Sequence, residues 1–198
     1  MIFANRSMRR RIMVLTTVLW AWVCNAQTIE RKLIEEAELD SAELVTLTGL
    51  DSLACCLDLT SASVDTTVML TDSLAMSLLF VGDNVGVCAV RYLLVWRKEG
   101  LGSRSLSELY TECDGGAGEE EFMFNMSRIL EDHSIVVVEL SSREYEVDGV
   151  VHAAPLRIVS WRLVQVMNDG SVSDTGDVDP REWSGPVYSV TEIMEWKY

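Results

Sequence analysis

Apolar residues alternate with other residues along two consecutive segments, 73–81 and 85–97, and this alternation restricts the fold more than any other feature of the chain. Successive side chains of a strand point to opposite faces, so a period of two predicts strands with one buried face. Gly82-Asp83-Asn84 lie between the segments and tolerate the positive φ of a tight turn. The two segments therefore predict a β-hairpin. Its alternating residues are Leu74, Met76, Leu78 and Phe80, then Cys88, Val90, Tyr92, Leu94 and Trp96.

Sequence patterns typical of strands recur along most of the chain. Asp148-Gly149 stands between short β-type runs and is the strongest local hairpin signal in the sequence. Several strands joined by hairpin turns predict an α+β, β-rich fold with a mainly antiparallel sheet. A β-sandwich or barrel with a peripheral helix is the alternative. Further strand character is predicted for residues 52–60, 64–70, 122–126, 134–140, 156–167 and 187–196.

Helical patterns are fewer. Residues 28–45 place Ile29, Leu33, Ala37 and Leu44 near one helical face, which predicts one N-terminal amphipathic helix. Ser105 and Glu108 have the spacing of a capping box, so a short helix is predicted over 105–112. Residues 114–121 are rich in glycine and glutamate and predict an exposed acidic loop.

The N-terminus has the pattern of a cleavable export signal. Four arginines precede an apolar run, 12–23, which ends before Cys24-Asn25-Ala26. A basic start, a short apolar segment and small residues two apart are typical of a secretory signal peptide. We therefore expect a signal peptide over 1–26 and a single exported globular domain over 27–198. Asn25-Ala26-Gln27 resembles the cleavage ends of Gram-negative exported proteins, which implies a periplasmic, envelope or secreted location. Lipidation of Cys24 is a less favoured alternative, because Ala21, Trp22 and Val23 fit a lipoprotein signal poorly.

The charge of the chain limits its partners. All 31 Asp and Glu follow the predicted signal, which itself holds four of the 16 Lys and Arg. Such an acidic domain is not expected to bind nucleic acid, whose phosphates attract Lys and Arg clusters. A cationic peptide or protein surface is a plausible partner. The apolar run 12–23 is shorter than the roughly 20 residues that a helix needs to span a bilayer. We also expect no transmembrane segment in the chain that remains after cleavage.

Four cysteines follow the predicted signal, namely Cys55, Cys56, Cys88 and Cys113. An even number of cysteines in an exported chain predicts disulfides. Neighbouring cysteines are strained as a pair, so we expect Cys55 or Cys56 to bond with Cys88 and the other with Cys113. A single disulfide with two free thiols remains open. A four-thiolate zinc site is disfavoured because no C-x-x-C spacing is present.

An acidic turn over 168–179 is the sharpest candidate for a metal site. Its carboxylates and amide, with Gly170 and Gly176 between them, offer the oxygen ligands that Ca²⁺ prefers. Its spacing does not match an EF-hand loop, and a polar turn without metal explains the same composition. The predicted ligands are Asn168, Asp169, Asp174, Asp177 and Asp179.

The sequence shows no catalytic motif above background. Trp183 lies in a loop beside the acidic turn and is the predicted ligand-facing aromatic residue. We expect a non-enzymatic binding or interaction domain. A hydrolase that uses paired carboxylates is one alternative, with Glu139, Glu144 and Glu146 on predicted strands. A structural role in the cell envelope is the other.

Overall fold

The computed structural model describes residues 28–48, 61–82, 88–98, 104–113 and 121–196. Over these residues the chain is β-rich, with two antiparallel sheets and short helices, so the predicted fold class is confirmed at that level. Neither sheet closes into a barrel within the described ranges. The predicted strand over 52–60 lies outside them, as does most of the predicted acidic loop over 114–121.

The first sheet contains five strands, which follow one another in chain order and pair antiparallel. The strand pairing of the predicted hairpin is confirmed, because Leu74 pairs with Arg97 at one end and Gly82 with Ala89 at the other. Asp83 and Asn84 of its predicted turn lie outside the described residues. The strands are β1 (Leu39–Asp40), β2 (Ser61–Met69), β3 (Leu74–Gly82), β4 (Cys88–Arg97) and β5 (Arg104–Cys113).

The second sheet has the strand order β10-β9-β7-β6, and β8 pairs with the far end of β7. Its strands are β6 (Glu121–Ile129), β7 (Ile135–Val147), β8 (Val150–Ala153), β9 (Arg157–Val166) and β10 (Val172–Asp174). The predicted Asp148-Gly149 hairpin is confirmed, since Val147 pairs with Val150. Asp148 and Gly149 have φ values of 54° and 77°. A two-residue type I′ turn requires positive φ at both positions.

Three apolar clusters divide the molecule into four layers. Alternate residues of the first sheet, such as Leu79 and Trp96, pack against the N-terminal helices. Residues on its opposite face, including Leu93 and Val95, pack face to face against Val137 and its neighbours in the second sheet. The outer face of the second sheet is covered by the C-terminal segment. Each sheet is thus buried on both faces, which explains why β3, β4 and β7 are so apolar.

The N-terminal region is two helices rather than the single one predicted over 28–45. Residues 28–34 form α1, and α2 spans Ser41–Thr48. Glu36 has a φ of 53° in the turn between them. Asp40 and Glu43 exchange side-chain to backbone hydrogen bonds of 2.9 Å, so a reciprocal cap begins α2. Both helices turn leucines towards the first sheet.

Two other predictions of local structure are wrong. Residues 105–112 belong to strand β5. Their backbone groups pair with those of β4, and buried backbone groups need such partners. Within 187–196 the structure has a short helix, α3 (Val190–Met194), where a strand is predicted. Ser189 and Glu192 form a capping box there, and Ile193 and Trp196 pack on the second sheet.

Candidate functional site

A cavity of about 830 Å³ is lined by residues of both sheets and of the C-terminal segment. Strands β2, β3 and β4 form one wall, β6 forms another, and the C-terminal segment around α3 borders it. Val68, Leu78 and Ile129 give its wall an apolar part. Its polar and charged lining includes Asp65, Arg91, Ser127, Arg128, Glu192 and Trp196.

A buried ion pair stands in the wall of this cavity. Arg91 lies on β4 between Val90 and Tyr92, both of which face the N-terminal helices, so alternation turns Arg91 towards the second sheet. Its Nη2 is 2.6 Å from Oδ2 of Asp65, and the two side chains are 4% and 15% exposed. Nη1 of Arg91 also donates to Oγ of Ser127 on β6. Arg91 therefore bridges the two sheets.

A β-bulge on β2 lies beside the partner of Arg91. The register of β2 against β3 shifts between Val64 and Thr66, so Asp65 is the extra residue. Val64 belongs to the cluster beneath the helices, so alternation alone turns Asp65 towards the cavity that it lines. After the extra residue the alternation is reversed, and Thr66 and Val68 line the cavity as well.

Two aromatic rings lie over the guanidinium group of Arg91. Its central carbon is 5.8 Å from the ring centroid of Phe80 and 5.8 Å from that of Tyr110. Cations are attracted to ring faces at such distances. The rings and the Asp65 carboxylate together hold the arginine in a fixed position at the cavity wall.

Trp196 lines the same cavity and carries a buried hydrogen-bond donor. Its side chain packs in the outer cluster and is 7% exposed. Its indole Nε1–H has no hydrogen-bond acceptor among the described residues. Buried tryptophan N–H groups usually have a partner, because leaving one unsatisfied costs free energy. An acceptor on a bound molecule would satisfy this group.

Charged side chains of both signs border the cavity on its solvent side. Arg128 is exposed, and its guanidinium carbon is 5.9 Å from the ring centroid of Tyr188. Tyr188 in turn meets Trp196 edge to face at 5.2 Å. Glu192 accepts hydrogen bonds from the hydroxyl and backbone N–H of Ser189, and the bond from the hydroxyl is the main cause that lowers its pKa. The carboxylate of Glu192 is thus ionised and already engaged in capping α3.

The predicted metal ligands lie in the turn before β10, at the end of β10 and in the loop after it, and three of them accept hydrogen bonds from groups of the chain itself. Asp174 forms an ion pair with Arg162, and this hydrogen bond is the main cause that lowers its pKa. Asp169 accepts from Ser171, and Asp179 accepts from the backbone N–H of Arg181.

Asp177 lines a smaller cavity beside Arg162, and Asn168 is an exposed residue of the turn. The described residues contain no group of three or more His, Cys, Asp or Glu arranged to hold a metal ion. The calcium site stays a prediction.

Trp183 lies on the outer face of the second sheet. Its ring stacks on that of Trp161 at 5.5 Å and 14°, and its Nε1–H donates to the carbonyl of Pro186. A Cβ on Gly185 would stand 2.3 Å from the Trp183 ring, so only glycine fits beside it. These contacts attach the loop to the sheet. The structure does not bring Trp183 into the cavity lining, and its role as a ligand contact stays a prediction.

Two of the predicted carboxylates have different surroundings. Glu139 accepts a hydrogen bond from Ser160, whereas Glu144 is exposed on the β7–β8 hairpin. The side chain of Glu146 lies outside the described part of the structure. Among the cysteines, Cys88 and Cys113 occupy paired positions of β4 and β5, and Cys55 and Cys56 lie outside the described residues.

Sequence reasoning missed Arg91 and Trp196 as site residues. One available signal was a charged residue within the most apolar stretch of β4, since arginine is rarely buried without a partner. No signal in the sequence placed Asp65 or Ser127 beside it, because they belong to strands far along the chain.

Comparisons with known proteins add no relative. No family model, curated protein or solved structure matches this chain. None of the helices in the described ranges has the length and apolar character needed to cross a membrane.

Proposed function

We propose that this chain is an exported binding domain and that the ligand site is the cavity lined by both sheets and the C-terminal segment. The observation that carries the proposal is Trp196, which lines the cavity together with Arg91 and whose buried Nε1–H has no acceptor among the described residues. Ligand sites combine apolar walls with a few polar groups that fix orientation. The volume of about 830 Å³ lies within the range usual for small-molecule sites.

The lining indicates the chemistry of the ligand. Trp196 and Arg128 supply hydrogen-bond donors, whereas Val68, Leu78 and Ile129 supply an apolar surface. A small molecule with an acceptor group at one end and an apolar body fits this arrangement. The acidic character of the whole chain disfavours a ligand with several negative charges.

The exported location is supported by the order of charge, apolar run and small residues in 1–26. Expression of the full chain in a Gram-negative host tests it. The predicted result is a periplasmic or secreted protein whose N-terminal residue is Gln27. A chain that keeps residues 1–26 and stays in the cytoplasmic fraction would contradict export, and it would leave the ligand site untouched.

Fluorescence of 8-anilinonaphthalene-1-sulfonate tests the ligand site, because this probe joins an acceptor group to an apolar body. We expect saturable binding of one probe per chain under native conditions. Val68→Phe places a larger side chain in the cavity wall and should weaken binding about tenfold, which corresponds to about 1.4 kcal/mol. Near-UV circular dichroism checks that each variant keeps its tertiary structure.

Val166→Phe is the matched control. Val166 is also a partly buried valine beside the cluster between the sheets, but it does not line the cavity. The proposal predicts that Val166→Phe leaves probe affinity unchanged. Equal losses in the two variants, or no saturable binding by the wild type, would rule out this cavity as the site.

A further inference from the structure

The backbone register places two cysteines opposite each other. Cys88 is the first residue of β4, Cys113 is the last residue of β5, and they are Cα partners in the antiparallel pair. The neighbouring pairs, Ala89 with Glu112 and Val90 with Thr111, continue the same register. The opposition of Cys88 and Cys113 therefore belongs to a regular stretch of the ladder.

Paired positions of this kind satisfy the main distance requirement of a disulfide. Directly opposed residues of antiparallel strands have Cα atoms about 4.5–5.5 Å apart. Disulfides join residues whose Cα atoms are about 4.4–6.8 Å apart. Directly opposed residues also share one face of the sheet.

We propose that Cys88 and Cys113 form a cross-strand disulfide that closes the β4–β5 hairpin at the end opposite its turn. Each thiol gives up a proton, a sulfur–sulfur bond forms, and two electrons pass to a disulfide oxidant, which becomes two thiols. This pairing differs from the one expected from the sequence, in which each of these cysteines bonds with Cys55 or Cys56.

The bond would act on the wall of the ligand cavity. Arg91 follows Cys88 by three residues, and its backbone partner on β5 is Tyr110, whose ring lies over the guanidinium group. Strand β5 is at the edge of its sheet, and its register shifts directly after this pair. A covalent link between Cys88 and Cys113 fixes the register of β5 between Cys113 and Tyr110. The disulfide thereby holds Tyr110 opposite Arg91.

Peptide mapping tests the pairing, because two proteases separate the cysteines. Cleavage after Lys and Arg and before Asp yields fragments 51–57 with Cys55 and Cys56, 83–91 with Cys88, and 105–113 with Cys113. The full chain is equilibrated with excess glutathione disulfide, its free thiols are alkylated, and the digest is weighed without reduction. This design does not depend on export or on ligand binding.

The proposal predicts a linked species of 83–91 with 105–113 that is two hydrogen atoms lighter than the separate peptides. The double variant Cys55→Ser/Cys56→Ser should retain this species, and Cys88→Ser should leave Cys113 outside any link between peptides, either alkylated or joined to glutathione. A link from 83–91 or 105–113 to 51–57 in the wild type would overturn the pairing. Alkylation of both Cys88 and Cys113 after oxidation would overturn it as well.

Discussion

Arg91 and Arg162 each connect the two sheets within the described residues, and their surroundings differ. Arg91 reaches from the first sheet to Ser127 in the second, and its side chain is 4% exposed. Arg162 reaches in the other direction, from β9 to the carbonyls of Leu109 and Glu108 on β5. Its side chain is 21% exposed, and its carboxylate partner belongs to the acidic turn.

These surroundings distinguish a structural bridge at Arg162 from a bridge beside the proposed ligand site at Arg91. Arg162 donates to two main-chain carbonyls and to both oxygens of Asp174, so its contacts join an edge strand, a sheet and a loop. Arg162 lines a cavity of about 360 Å³, whereas Arg91 lines the one of about 830 Å³, where Trp196 has a buried donor without an acceptor among the described residues. We infer that contacts at Arg162 stabilise the fold, whereas those at Arg91 also shape the site.

The largest expected effect is that of Arg91→Met. It leaves the carboxylate of Asp65 without its cation in a site that is mostly shielded from water. Loss of one partner of a buried ion pair costs about 3–5 kcal/mol. Urea unfolding should show a fall of that size in the free energy of unfolding.

The double variant Asp65→Leu/Arg91→Met is the matched control for this pair. It removes both charges, and apolar replacement of a buried pair is often neutral or stabilising. Most of the lost stability should therefore return. If the double variant is as unstable as the single one, the cost comes from lost packing of the Arg91 stem rather than from the charge of Asp65.

Arg162→Met should have a smaller effect. It leaves the carbonyls of Leu109 and Glu108 without this donor, but the site is open enough for water to replace part of it. A lost hydrogen bond with an unsatisfied buried partner costs about 1–3 kcal/mol. The same urea experiment measures it, and probe binding should be unchanged. A loss of stability equal to that of Arg91→Met would remove the distinction between the two bridges.

The ion pair of Asp174 with Arg162 makes a smaller, pH-dependent contribution. Hydrogen bonding to Arg162 lowers the pKa of Asp174 below the value of about 3.9 that an unfolded aspartate has. The stabilisation is therefore complete above about pH 3.9 and is lost as the pH falls through the folded pKa. Because the pair is partly exposed, we expect Asp174→Asn to cost at most about 1 kcal/mol at pH 7.

The difference between wild type and Asp174→Asn should shrink as the pH is lowered from 5 to 2. Thermal unfolding at each pH measures it. Asp179→Asn serves as a control, since Asp179 accepts only from a neighbouring backbone N–H in the described structure. A stability difference for Asp174→Asn that grows towards acid pH would contradict the ion pair.

The smallest effect on stability is expected for Arg128→Gln. Arg128 is exposed, and a cation–π contact at an exposed site contributes about 0.5–1 kcal/mol at most. The substitution should nevertheless weaken binding of the sulfonate probe, because Arg128 borders the cavity. Arg157→Gln removes an arginine that does not line this cavity and should leave probe affinity unchanged. Equal probe affinity in both variants would exclude Arg128 from the site.

Two segments with the same capping pattern show what the sequence could predict. Ser105 to Glu108 and Ser189 to Glu192 both have serine followed three residues later by glutamate. Only the second is a cap, and it begins α3. The first lies in β5, where pairing with the buried strand β4 satisfies the backbone. Local patterns do not contain this long-range pairing, so they favoured a helix in the first segment and a strand in the second.

The sheet hairpins were predictable because their signals are local. Alternation specified β3 and β4, and Asp148-Gly149 specified the turn before β8. The cavity depends instead on a bulge at Asp65 and on strands that are distant in sequence. The composition of the acidic turn predicted a metal site, yet its Asp174 forms an ion pair with Arg162 of the adjacent strand. Composition does not reveal which carboxylates the fold itself uses.

The indole N–H resonances of the tryptophans give the most direct test of the ligand site. Trp96 donates to Ser77 and Trp183 donates to Pro186, so both indoles are internal references for Trp196. We propose to titrate the ¹⁵N-labelled protein with 8-anilinonaphthalene-1-sulfonate and to assign each signal by substitution to phenylalanine. If the cavity is the ligand site, the Trp196 signal shows a saturable shift while those of Trp96 and Trp183 stay in place. A Trp196 signal that does not move when the probe has saturated the protein would contradict this assignment of the site.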